Sequence, residues 1–243
     1  MRNRWYVIGA LLSICAVLAV PGTASAGAPQ SQTLTQTVAP AKLDKKAFSG
    51  VTLHNVIITN YDNFSGSPSA KETIFFIDKN VKITPGNIPP CPQTTLNAAT
   101  TTAAVQAACG ASIVGDGTNL VNNGTGAFTQ PNPVLLVGGG PTTLYVWTRI
   151  AGALTLVLNG AFNPAANTLD VTGLPNTPGT DLTNFDTTFF KKKSGKKSFF
   201  IAARCSKKKK FVTSETTTYY NGQQLSATSP QRCKQKKSKK SKK

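Results

Sequence analysis

The feature that most constrains this chain is its punctuation. From residue 49 onward, short β-branched or apolar runs follow one another, most of them closed by Gly, Pro or Asn: 51–59, 73–78, 112–114, 133–137, 142–148, 154–158, 181–190, 198–203, 211–220 and 223–228. Runs of this length bounded by turn residues read as strands. Eight or more short strands without interleaved helices predict a mainly β fold. The expected architecture is an antiparallel β-sandwich, immunoglobulin-like or related. Asn221-Gly222 between the last two runs predicts a type I′ hairpin, in which both central residues take positive φ.

One segment departs from this pattern. Between residues 94 and 108, Leu96, Ala99, Ala103 and Ala107 recur at helical spacing, so a short α-helical excursion is expected. Pro89, Pro90 and Pro92 block its extension backwards, and Gly110 supplies a stop.

The N-terminus bears Arg2 and Arg4, an apolar run to Val20, and Ala24-Ser25-Ala26. This is the layout of a secretory signal peptide over residues 1–26. The apolar run, about 16 residues long, falls short of the ~20 that span a membrane. No later run is longer, so the mature chain is expected to lack a transmembrane helix and to be secreted or otherwise extracytoplasmic, with attachment to the cell surface left open. Export leaves Cys91, Cys109, Cys205 and Cys233, an even set that reads as two disulfides with three possible connectivities. Proximity in sequence favours Cys91–Cys109, which staples the helical excursion, and Cys205–Cys233. If the last three strands form a meander, the first and third lie about 9.5 Å apart, beyond the roughly 7 Å a disulfide spans between Cα atoms. Either residues 229–232 cross the sheet end or the strand order is not that of a meander. The expected organisation is a flexible leader over 27–48, which is rich in Gln, Thr and Pro, one β-rich domain over 49–233, and a disordered lysine-rich tail over 234–243.

Charge is segregated. Residues 191–243 hold 18 Lys and Arg against one acid, Glu215, whereas residues 27–190 hold 7 against 8. Lys191, Lys192, Lys193, Lys196 and Lys197, with Lys207, Lys208, Lys209 and Lys210, fall in expected turns; Lys236, Lys237, Lys239 and Lys240 fall in the tail. They have two readings: devices that keep edges soluble, or a face for polyanions such as anionic envelope polymers. Lysine far outnumbers arginine there, which favours non-specific, salt-sensitive attraction and argues against specific nucleic-acid recognition.

Catalytic material is scarce. The single histidine, His54, lies in an expected strand with no carboxylate near it in sequence, and no Gly-x-Ser-x-Gly elbow presents a nucleophile. No Cys-x-x-Cys pair is present, and 115–119 reads as a plain turn lacking the acidic ligands of a calcium loop. Neither a metal nor a cofactor is expected. The leading expectation is a secreted, non-enzymatic, envelope-associated protein retained by its basic end. One rival is a carboxylate-based extracellular hydrolase such as a glycosidase, which requires the fold to gather two of Asp116, Asp170, Asp181 and Asp186 in a cleft. Another is a dedicated polyanion or nucleic-acid binder.

The run 76–83, then Ile88-Pro89-Pro90-Cys91, the alanine-rich stretch to Ala107-Ala108-Cys109, and Ile113-Val114-Gly115-Asp116-Gly117 together resemble a family of uncharacterised secreted proteins of high-GC Gram-positive bacteria. The resemblance extends from about Ser49 to Cys233 and includes the C-terminal Cys, hairpin, Cys frame. Phe211 stands where that family often has Trp, and the lysine runs are heavier. The resemblance implies export and a disulfide-stapled β fold, and it carries over no catalytic residue.

Overall fold

The computed structural model describes residues 29–62, 67–123, 130–176, 180–196 and 198–236. The signal peptide expected over residues 1–26, Lys197, and Lys237, Lys239 and Lys240 lie outside the described residues. The chain is mainly β and antiparallel, with one disulfide-stapled helical region. Its first strands are β1 (Pro29–Ala39), β2 (Lys42–Leu43), β3 (Ser49–Gly50), β4 (Thr52–Tyr61), β5 (Ala70–Phe76) and β6 (Val81–Ile83). Helices α1 (Gln93–Ala98) and α2 (Thr102–Cys109) follow, and a 3-10 turn at Gly110–Ser112 leads into β7 (Ile113–Asn123). Next come β8 (Asn132–Gly138), β9 (Thr143–Ile150), β10 (Leu154–Asn163), β11 (Thr168–Thr172) and β12 (Thr180–Phe189). The chain closes with β13 (Ile201–Ala203), β14 (Lys210–Tyr219), β15 (Gln224–Arg232) and β16 (Lys234–Gln235).

Eleven strands form one sheet in the order β1-β4-β12-β7-β8-β9-β10-β11-β5-β14-β15. The sheet curls until its two edges meet. There β15 satisfies the backbone of β1 with side chains: Gln36 N–H donates to Ser229 Oγ at 2.7 Å and Val38 N–H to Gln231 Oε1 at 2.6 Å, while Gln231 Nε2 donates back to Val38 O at 3.1 Å. The two layers expected of the fold are therefore opposite walls of one continuous sheet, and neither edge is left open for another strand. Pro230 lies in β15, at the sheet edge, where its missing N–H costs no ladder bond.

The small sheet β3-β13-β6 lies across one end of this barrel. Its Val81, Ile83, Ile201 and Ala203 join the same core as Val146, Leu158 and Phe162 of the wall, and the Phe200 ring stacks on Phe189 with centroids 6.0 Å apart. We call this the plugged end and the other the mouth. Strand β13 thus does not pair with β14. The meander is absent, and Cys205 and Cys233 meet with Cα atoms 5.8 Å apart because β13 and the end of β15 converge on the plug.

Four expectations need correction. The leader is not flexible over most of its length: residues 29–39 form β1, half of whose inward positions are polar (Gln32 and Gln36 beside Leu34 and Val38), so no apolar alternation betrays it. The start of the tail is ordered too, since Lys234 and Gln235 pair in parallel with Lys42 and Leu43. Residues 115–119 are not a turn but the interior of β7; a Cβ on Gly117 would stand 1.9 Å from Asp186 O, which explains glycine there as close strand approach. The final hairpin exists, but not as type I′. Only Gly222 has positive φ (+84°), Gly222 N–H donates to Tyr219 O and Tyr219 N–H to Gln223 O, giving a three-residue loop with a left-handed Gly.

The helical excursion is split at residues 99–101, with Thr101 capping α2 by accepting the Ala104 N–H at 3.1 Å. Both helices lie on the outside of the barrel. Leu96 and Val105 pack with Leu135, Val137 and Trp147, and Trp147 Nε1 donates to Leu96 O at 3.2 Å.

Candidate functional site

The strand directions place the ends of β1, β5, β8, β10, β12 and β15 at the plugged end, together with the starts of β4, β7, β9, β11 and β14. Almost all of the charge collects there. Of the described Lys and Arg residues only Lys71 and Arg149 belong to the mouth half. Fold contacts bring Lys42, Lys45, Lys46, Lys79 and Lys82, which are remote in sequence, to the C-terminal cations. Cys205 N–H donates to Asp44 O at 2.8 Å, Lys234 N–H to Ala41 O at 2.8 Å, and Arg204 N–H to Asn80 O at 2.9 Å. Lys82 Nζ and Arg204 Cζ each lie over the Phe48 ring, 4.6 and 4.8 Å from its centroid. That packing holds two like charges in place on an apolar support.

Asp44 and Asp78, the acids within these basic segments, are occupied. Asp44 accepts the N–H groups of Lys46 and Ala47 at 2.7 and 2.8 Å, and the Ala47 bond foremost holds its carboxyl below the usual range. Asp78 accepts from Asn80 N–H and Val212 N–H, both at 2.8 Å. Exposed Lys193, Lys196, Lys207, Lys208, Lys209 and Lys210 therefore meet solvent with no carboxylate assigned to them among the described ion pairs. Lys191 is exposed and its Nζ lies 5.7 Å from the Phe199 ring centroid. Lys192 differs from the rest. Its ammonium donates to Ala111 O and Ile113 O, both at 2.6 Å, and burial lowers its pKa. It fastens the segment after β12 to the 3-10 turn and the start of β7, with its ammonium partly buried against their carbonyls.

Two of the four aspartates of the hydrolase reading are neighbours on an open outer face, and the other two lie apart from them and from each other. Asp186 bonds His54 Nε2 at 2.7 Å on the outer face of β12 and β4, and Asp116 lies diagonal to it on exposed β7. Asp170 sits on the outside of β11 beside Glu72, whose carboxyl is pushed up by burial and then by Asp170. Only Asp181 is interior, bonded to the Ser67 hydroxyl, and burial raises its pKa. No pair converges in a cleft, although His54 has a carboxylate partner that only the fold supplies.

The interior holds a carboxyl that sequence reading passed over. Glu215 of β14 is fully buried between the apolar cross-strand neighbours Phe75 and Ala227, and desolvation pushes its pKa up to about 8. A signal was present: Phe211 and Tyr219 share its alternation along the strand, and two large aromatics mark that set as the inward one. Among the described residues no group of three or more His, Cys, Asp or Glu is placed to hold a metal ion, and no helix is long and apolar enough to cross a membrane. No family model and no curated protein matches this sequence.

Proposed function

We propose that this is an exported, non-catalytic protein of the cell envelope, held against anionic surface polymers by its plugged end. The observation that carries this reading is the convergence of 42–46, 79–82, 204–210 and 232–236 on one end, where the neighbouring Asp44 and Asp78 are already engaged by backbone N–H groups. Such a surface attracts polyanions over roughly one Debye length, about 8 Å at physiological ionic strength, without shape recognition. Two disulfides suit an oxidising compartment. The signal peptide and the likeness to secreted proteins of high-GC Gram-positive bacteria belong to the same reading.

The test is co-sedimentation of the mature chain with purified envelopes across a salt series, beside a truncation after Lys236, which keeps β16. Pelleting at low salt and release at high salt supports electrostatic retention. Retention of the truncated form assigns the attachment to the folded basic end, and its loss assigns it to the tail. If both forms stay in the supernatant at low salt, the lysines are solubility devices and the proposal fails.

A further inference from the structure

Inside the barrel lies a cavity of about 90 Å³ whose lining carries no charge. Of the described residues that border it, not one is Asp, Glu, Lys, Arg or His; Glu215 and Asp181 are interior but do not line it. Strands β8 to β11 give an apolar wall of Leu136, Leu144, Val146, Leu158, Leu169 and Val171. Strands β1, β4 and β14 give a polar wall, on which Gln36 is met at both amide atoms. Thr213 Oγ1 donates to its Oε1 at 2.6 Å, and its Nε2 donates to Asn55 Oδ1 at 2.9 Å. The cavity is long for its volume. On β4 every second residue from Leu53 to Tyr61 borders it, so the lining follows roughly 26 Å of strand at about 3.3 Å per residue. It runs from Ile83 of the plug to Leu174 and Leu182 at the mouth.

One polar atom of the lining residues is left over. Gln32, Thr217 and Thr73 all border the cavity and are joined to one another: Gln32 Nε2 donates to Thr217 Oγ1 at 3.0 Å, and the two threonine hydroxyls share a bond of 2.9 Å. The other end of the Gln32 amide, Oε1, is buried and has no hydrogen-bond partner. An acceptor left unmet in this way is costly. A buried water typically makes about three hydrogen bonds, which one open acceptor beside aliphatic walls does not supply. Empty space against those walls is unfavourable too, because the side chains around it lose contacts. The occupant that answers both is hydrocarbon except for a single O–H. A carboxylate or an ammonium finds no counter-charge in the lining, so its burial is disfavoured.

We propose that the barrel interior binds a short, unbranched aliphatic alcohol, its hydroxyl donating to Gln32 Oε1 and its chain lying along the wall of β8 to β11. The cavity is smaller than the roughly 150 Å³ that accepts a benzene ring, and it is drawn out along the barrel. A chain of about four carbons therefore fits where a ring or a branched skeleton does not. The site is separate from the basic end and does not depend on retention at the envelope.

The experiment titrates the full mature chain with 1-butanol, followed by methyl NMR, with tert-butanol, cyclohexanol, butyrate and n-butylammonium as comparisons. Saturable binding of 1-butanol is expected, with a Kd on the order of millimolar and each comparison at least about tenfold weaker. Nuclear Overhauser contacts are expected from the butyl chain to the methyls of Leu136 and Val146, and from the carbon bearing the hydroxyl to the methyl of Thr217. No saturation by 1-butanol, equal binding of any comparison, or absence of those contacts overturns the proposal. Gln32→Met keeps the length of the side chain and removes the acceptor. It should weaken 1-butanol by about threefold or more and leave n-pentane, a chain of the same size with no donor, unchanged. Equal affinity of the variant and the unmodified protein for 1-butanol also overturns the proposal, and should the variant fail to fold, the contacts in the unmodified protein decide.

Discussion

Glu215 is interior because a strand alternates: with Phe211 and Tyr219 turned into the core, every second residue between them turns inward too. Its pH consequence has a definite sign. The folded pKa, about 8, lies above the ordinary 4.5, so the folded protein holds a proton that the unfolded chain releases. Stability is then highest near and below pH 4.5 for this group and declines as pH rises towards 8, by up to several kcal/mol. Glu215→Gln is expected to flatten that decline, read from denaturant midpoints across the same pH range. At Gly117 the constraint is steric. An added methyl would stand 1.9 Å from Asp186 O, so Gly117→Ala should lower stability by about 3 kcal/mol, measured by urea unfolding. Lys192 answers to the same kind of reasoning. Lys192→Gln is expected to cost about 1–2 kcal/mol through the two carbonyls it leaves unmet, while leaving the salt dependence of envelope binding unchanged, in contrast to Lys193→Gln.

At the level of elements, both disulfides bind the periphery to the barrel, yet they hold different things. Cys91–Cys109 closes the α1–α2 excursion against the outside of β8 to β10. Cys205–Cys233 ties the plug strand β13 to the end of β15, beside the seam where β1 and β15 meet through side chains. Each is worth roughly 2–4 kcal/mol. Replacing the second pair with serine should therefore expose the amides of β13 and of the β2–β16 pair to hydrogen exchange, whereas replacing the first should raise exchange in α1 and α2 and leave the plug protected.

At the scale of the whole molecule, a neutral barrel with one densely basic end behaves as an oriented charge. Substituting Lys42, Lys45 and Lys46 by Gln is expected to reduce the salt slope of polyanion binding about as much as substituting Lys207, Lys208 and Lys209, because folding puts both sets on one surface. The slope of the logarithm of affinity against that of salt measures it. Much was legible in the sequence alone. Strand-forming runs, the helical excursion and both cysteine pairings are local signals carried by β-branched residues, alanine spacing and short loops. The tertiary structure decided the rest. β1 escaped notice because Gln32 and Gln36 occupy inward positions on a polar wall, so hydrophobic alternation failed where the interior itself is polar. The meeting of His54 with Asp186, the joining of Lys42–46 and Lys79–82 to the C-terminal cations, and the burial of Glu215 between Phe75 and Ala227 all depend on which strands become neighbours. That order is set by non-local packing and closure of the sheet, which no stretch of sequence encodes by itself.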